Sequence, residues 1–240
     1  MISFYPGYFG WLGNEMFQYA ATFAASKRLG VDCAFPQNNP DLFEVFQLSS
    51  KKIDTAQGTL YQEPSFQYTP IPQEDNLTLH GYFQSEKYFE DYEKDIRQEF
   101  RFKNQKVSEL LPNTVSLHVR RGDYRNHPDH HPLCSLEYYH KAMEEFKGYN
   151  FLVFSDDKEW CRENFKQDSV QVSEVEDAVE ELEMMSWCEH HIIANSTFSW
   201  WGAWLGQNKD KKIVAPKKWF GSAYQNHDTK DLYAKDWLTL

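Results

Sequence analysis

From residue 114 to residue 215 the chain alternates between short apolar, β-branched runs and stretches whose apolar residues fall three and four apart. Residues 114–119 read as a buried strand, 135–146 as a helix, 151–154 as a strand, 157–165 as a helix and 170–172 as a short strand. In the next stretch, 177–187, Ala178, Val179, Leu182 and Met185 share one helical face, with Glu180, Glu181 and Glu183 mostly on the other. Residues 191–194 make a further strand, 198–205 an aromatic-rich helix, and 213–215 a last strand stopped by Pro216. Such alternation implies a parallel sheet covered by helices, because parallel neighbours need long crossovers.

The first half is less regular. A strand at residues 2–5, a helix at 14–29 with Met16, Tyr19, Ala20 and Phe23 at spacings of three and four, and a strand at 31–35 form one β-α-β unit. Residues 36–80 are punctuated by Pro, Asn and Gln without a strong period and read as loops with short elements. Helical spacing returns at 83–100, and 103–112 reads as a hinge. The chain therefore divides into a domain at 1–105 and a second at 106–240.

At 240 residues, with 41% hydrophobic and 25% charged residues, the chain is long enough for two compact folded units and too apolar to be disordered. Its 25 Lys and Arg against 36 Asp and Glu give a net charge of -11, which repels a nucleic-acid backbone, so any phosphate must meet a local basic site. No run approaches the roughly 20 apolar residues that span a bilayer, and no leader peptide opens the chain, which predicts a cytoplasmic protein, at most peripheral to the inner membrane. Cys33, Cys134, Cys161 and Cys188 are scattered without a CxxC pair, so neither a zinc site nor a disulfide framework is expected.

Candidate chemistry gathers at strand exits, where open parallel sheets bind ligands. The motif HVRRGDY, residues 118–124, places Arg120 and Arg121 at such an exit, and planar guanidinium forks match phosphate oxygens. Asp123 orients one of them or accepts a proton; an Arg-Asp surface ion pair is the plainer alternative. Asn195, Ser196 and Thr197 stand where the aromatic helix starts, a place whose N–H groups and dipole suit an anion, although an ordinary N-cap uses the same residues. FSDD, residues 154–157, ends another strand; its carboxylates suit a base or ribose, or cap the next helix. In GWLGNEMFQYA, residues 10–20, Gly10 and Gly13 permit close backbone approach, Asn14 suits a cap and Glu15 lies in the first turn, but neither GxGxxG nor GK[ST] is present. His127, His130 and His131 lie in a Pro-containing stretch read as a polar loop over a metal site.

With HVRRGDY, residues 184–188, NSTFSWWGAWL and APKKWF in order, and LGNEMFQYA near the start, the chain resembles the α-1,2-fucosyltransferases of glycosyltransferase family 11. The resemblance covers most of 114–220. It implies a GT-B-like α/β fold of two Rossmann-like domains facing across a cleft, the first on the acceptor side and the second holding a GDP-sugar. It implies inverting transfer of L-fucose from GDP-fucose to a sugar hydroxyl of a glycan acceptor, a galactoside 2-OH, without metal or other cofactor.

Carried onto this chain, Arg120 and Arg121 hold the GDP phosphates, and His118 and Asp123 shape that strand exit. Ser196, Thr197 and Ser199 contact phosphate, Asp156 the base or ribose, and Asn14 belongs to the donor site. Glu15 and Asp123 both remain candidates for the base. The chain departs from the usual GLGNQMFQYA at Trp11 and Glu15, and carries Glu181 where Asp is usual. A GDP-sugar or glycan binding protein without turnover, or a transferase for another GDP-sugar or linkage, is the alternative.

Overall fold

The structure, a computed structural model, describes residues 1–7, 10–36 and 40–240. It separates into one unit of residues 1–105 with 227–234 and another of residues 106–226 with 235–240. The segment 227–234, which the sequence reading assigned to the second domain, packs into the first: buried Asp231 accepts the Tyr68 N–H and pairs with Lys87 at 2.5 Å.

In the first unit β1 (Ile2–Phe4) leads to α1 (Leu12–Leu29), β2 (Cys33–Pro36), a short α2 (Pro40–Val45), β3 (Lys51–Ile53), β4 (Thr59–Gln62), β5 (Leu77–His80) and α3 (Glu93–Glu99). Its five strands run parallel in the order β3-β2-β1-β5-β4. Small residues let α1 lie close on this sheet: Ala20, Ala21 and Ala24 are fully buried, and Gly30 ends the helix in the left-handed region. Buried Glu99 anchors the end of α3 by accepting the Tyr19 hydroxyl at 2.5 Å and the Ser49 N–H at 2.7 Å.

The stretch read as loops therefore holds α2 and three strands, with residues 37–39 outside those described. Its first two strands escaped the pattern because they are sheet edges whose side chains are mostly exposed, leaving no apolar alternation to read. The helix expected over 83–100 is shorter. Two 3-10 turns, Glu86–Tyr88 and Glu90–Tyr92, precede α3, because Ser85 caps the first and Phe89 leaves helical geometry at φ -141° and ψ 5°.

The second unit is regular. It contains β6 (Leu111–Val119), α4 (Leu136–Glu144), β7 (Asn150–Ser155), α5 (Lys158–Asn164), β8 (Val170–Val172), α6 (Ala178–Ser186), β9 (Cys188–Ile192), α7 (Thr197–Trp204), β10 (Ile213–Ala215) and β11 (Leu238–Thr239). The six strands are parallel in the order β11-β10-β9-β6-β7-β8. In order of appearance this is 3-2-1-4-5-6, the doubly wound Rossmann arrangement, with its switch point between β6 and β9. The strand β11 is an addition to the elements read from the sequence; at two residues it carries no period.

Val115, Leu117, Val153, Ile192 and Val214 form the buried sheet face against Tyr139, Ala142 and Phe165. On α7, Trp200 is fully buried, with its ring centroid 5.0 Å from Trp201 and 5.2 Å from Trp237. Among the described residues no helix is long and apolar enough to cross a membrane, and no group of three or more His, Cys, Asp or Glu is arranged to hold a metal ion.

Candidate active site

The switch point of the second unit brings two of the sequence motifs to one edge. In the β6–β9 pairing Leu117 lies opposite Ile192, and the same offset carried three residues on sets Arg120 level with Asn195. Two contacts tie the strand exits. The Tyr124 hydroxyl donates to the Asn195 carbonyl at 3.0 Å, and the His118 ring lies 5.6 Å from Phe198 in the first turn of α7.

The two guanidinium groups diverge. Arg120 stays over the turn that follows β6: its Nη atoms reach Asp123 at 2.6 Å and Asp156, beyond β7, at 2.9 Å, and its plane lies 5.3 Å from the Tyr124 ring centre. Arg121 turns toward α5, where Nε donates to Asp157 at 3.0 Å and the fork covers the Trp160 ring at 4.0 Å. Successive residues leaving a strand point to opposite sides, and here each finds its own carboxylate.

The FSDD pair is a bracket for that turn. Asp156 accepts the backbone N–H groups of Arg121 at 2.9 Å and Gly122 at 3.0 Å, besides pairing with Arg120. Asp157 caps α5 through the Trp160 N–H and also faces Arg125 at 3.6 Å. A Cβ on Gly122 would come within 2.6 Å of the Asp156 carboxylate, so this close approach requires glycine. Three guanidinium groups thus stand among three carboxylates, so the edge carries little excess charge of either sign.

At the start of α7, Ser196 adopts extended geometry as N-cap but its side chain makes no cap hydrogen bond. Thr197 beside it is half-buried. Ser199 is turned inward, buried, with its hydroxyl donating to the Ser196 carbonyl at 3.3 Å. Asn195 is used structurally, donating through Nδ2 to the carbonyls of Pro132 and Trp219, both at 2.9 Å. The histidines of 126–134 enter an aromatic cluster, His131 stacking on Tyr124 at 4.7 Å and His130 meeting Tyr224 at 5.1 Å. Asn14 and Glu15 lie in the first unit, Glu15 buried in the first turn of α1 and Asn14 accepting from Gln84 at 2.9 Å.

The sequence motifs give Tyr124, Trp160 and Lys158 no role of their own, whereas the helix-cap reading of FSDD is met by Asp157. Tyr124 closes HVRRGDY and Trp160 follows FSDD by three residues, but an aromatic ring in or beside a motif carries no signal of what it stacks on. Lys158 faces Glu181 at 3.3 Å; burial pushes that carboxyl up to about 7 even with the ammonium beside it.

His118 is buried, and desolvation with the Arg120 charge lowers its pKa to about 3; His191, accepting from or donating to Ser116 at 2.8 Å, is likewise held well below the usual imidazole range by burial. Both are neutral in the folded chain and bind a proton on unfolding near pH 6.5. Their stabilisation is complete above that value and is lost as pH falls below it, for His118 down to about 3, at about 1.4 kcal/mol per pH unit. Glu181 acts in the opposite sense over part of this range, so the comparison that isolates the imidazole is with His118→Gln. Urea unfolding at pH 6.5 and pH 5 is expected to show a loss smaller by roughly 1–2 kcal/mol in that variant. An equal loss in both chains would show that His118 is not held neutral.

A six-stranded parallel sheet with a guanidinium and a helix start near its switch point defines the class: a doubly wound, Rossmann-like α/β unit. The family model for glycosyl transferase family 11 matches residues 7–240, and the chain belongs to that family. Relatives include the O-antigen biosynthesis glycosyltransferase WbnK of Escherichia coli, 40% identical over 139 residues; this match spans 53% of the chain and 45% of WbnK. An α-1,2-colitosyltransferase of Escherichia coli is 31% identical over 88% of the chain and 90% of its own length. The galactoside 2-α-L-fucosyltransferase SEC1 of Bos taurus is 29% identical over 82% of the chain and 62% of that protein.

In fold, the chain is similar to the fucosyltransferase NodZ from Bradyrhizobium, with a TM-score of 0.56 at 10% identity over 84% of this chain and 92% of NodZ. NodZ soaked with GDP-fucose gives a TM-score of 0.52. The architecture is the GT-B fold of these enzymes.

Proposed function

We propose that the chain transfers L-fucose from GDP-fucose, with inversion, to a sugar hydroxyl, the 2-OH of a galactoside, in glycan or surface-polysaccharide synthesis. The observation that carries the reading is the edge where β6 and β9 end side by side, with Arg120 over Tyr124 and the Tyr124 hydroxyl on the carbonyl that leads into α7. The second unit holds the donor and the first the acceptor. As the C1–O bond to GDP lengthens, negative charge grows on the β-phosphate while the sugar becomes oxocarbenium-like. Arg120, the N–H groups opening α7 and the hydroxyls of Ser196 and Thr197 stabilise that charge more than the ground state, which lowers the barrier. Arg121 and Asp156 act on the turn that carries Arg120. The acceptor proton passes to Asp123, Glu15 or the departing phosphate.

Family membership and the galactoside α-1,2-fucosyltransferase among the relatives support this donor and linkage. A second reading, another sugar carried on a nucleotide, is favoured by the colitosyltransferase, which aligns over most of both chains. Mass spectrometry of a lactose-type acceptor incubated with GDP-fucose, a colitosyl donor and other GDP-sugars decides between them. Fucosylated product is expected, with turnover unchanged in EDTA. Product from another donor alone transfers the proposal to that sugar, and activity lost in EDTA and restored by Mn²⁺ contradicts the metal-free mechanism.

A further inference from the structure

The aromatic rings of this protein are mostly packed inside. Among the described residues the exposed ones are Tyr5 at 42%, Trp11 at 72% and Tyr82 at 41%; Tyr5 and Tyr82 follow β1 and β5, and Trp11 caps α1, the helix after β1. The two strands are central in the first unit, adjacent where the strand order breaks from β1 to β5. That place is where an open α/β sheet offers a crevice.

The edge is built. Tyr5 lies level with His80, their rings 5.1 Å apart and at 80°, and the Tyr5 N–H donates to the Leu79 carbonyl at 2.8 Å. His80 Nδ1 is bonded to Gln62 Oε1 on the neighbouring strand β4. The turn that presents Tyr82 is pinned: the Glu63 carboxylate accepts the Tyr82 N–H at 2.7 Å and the Phe83 N–H at 3.1 Å. Gly81 and Phe83 hold positive φ of 158° and 53°, and a Cβ on Gly81 would sit 2.4 Å from Glu63 Cβ. A bulky residue in the left-handed region stores strain, and structures keep such strain where it fixes a ligand-facing group. Two residues on, Gln84 is 7% exposed; its Nε2 donates to Asn14 in the first turn of α1, and its Oε1 meets no donor among the described residues. A buried amide oxygen without a donor costs stability until one arrives.

From this we infer that the carboxyl edge of β1 and β5 is a pyranose platform, on which Tyr5, Trp11 and Tyr82 receive the acceptor glycan and Gln62, His80 and Gln84 take its hydroxyls. Aromatic faces cover the apolar C–H side of a sugar ring while amide and imidazole edges meet its hydroxyl rim. A hydroxyl entering beside Asn14 supplies the donor that Gln84 lacks. The identity of the occupant rests on the glycosyl-transfer reading; the sugar-binding property of the edge does not.

The test uses the full chain with Tyr82→Ala, Trp11→Ala and, as the conservative variant, Tyr82→Phe. Saturation-transfer NMR with free lactose and N-acetyllactosamine reads sugar binding, calorimetry with GDP reads the donor side, and initial rates read KM for each substrate. Tyr82→Ala and Trp11→Ala are each expected to raise the acceptor KM about tenfold and to weaken the saturation-transfer signal. GDP affinity stays within twofold, and Tyr82→Phe keeps the wild-type KM. Wild-type acceptor KM in both alanine variants overturns the inference while leaving the transfer reading intact. Sugar binding that the variants lose, in a chain that fucosylates nothing, sustains the platform and removes the transfer reading. A wild-type chain that binds neither sugar, or variants that lose GDP binding in equal measure, overturns the platform.

Discussion

Replacing Arg120 by alanine lowers kcat/KM for the GDP-sugar by roughly 10²–10³-fold, the loss typical when one preorganised donor to a developing oxyanion is removed. The surroundings enlarge the effect. Without the guanidinium, Asp123 and Asp156, at 2.6 and 2.9 Å from it, face an incoming diphosphate with no charge between them. Lysine restores the charge but not the planar fork, so Arg120→Lys falls between wild type and alanine. Arg121→Ala costs less turnover, because that fork is engaged with Asp157 and the Trp160 face on the α5 side. Rates with a lactose-type acceptor, together with GDP calorimetry, measure all three; near-normal turnover in Arg120→Ala removes the phosphate role.

The largest stability effect is expected at Trp200. Its side chain is fully buried, and the rings of Trp201, Trp204 and Trp237 lie 5.0, 6.3 and 5.2 Å away. Cutting it back to alanine leaves a cavity that its rigid neighbours cannot fill, a cost of about 3–5 kcal/mol. That is a large part of the roughly 5–15 kcal/mol by which a folded domain is stable. Urea unfolding of Trp200→Ala and Trp200→Phe reads the cost, with Phe losing less because it refills part of the volume. A loss below about 1 kcal/mol in the alanine chain would mean that α7 is not anchored by this residue.

That anchor matters to the site, since α7 carries Ser196 and Thr197 at its start. The pH behaviour of His118 arises beside it: burial and then the Arg120 charge disfavour its protonation, and its ring lies 5.6 Å from Phe198 of α7.

The alternation of β-branched runs and helical spacing between residues 114 and 215 suffices by itself for a parallel α/β unit, because each buried strand and each amphipathic helix carries its period locally. The strand-exit position of Arg120, Arg121, Asn195 and Ser196 follows from the same local signal. What no local pattern contains is pairing across distance. The edge strands β3 and β4 are too exposed to show a period, β11 is two residues long, and residues 227–234 leave the second unit for the first. Strand alternation sends Arg120 and Arg121 to opposite sides, but only the fold gives Arg121 its place on Asp157 and Trp160 and makes Asp156 the acceptor for the turn that follows. Only the fold, too, sets Tyr5 beside His80, 75 residues apart along the chain, since parallel pairing is decided by the sheet as a whole and by the backbone bonds each strand finds there.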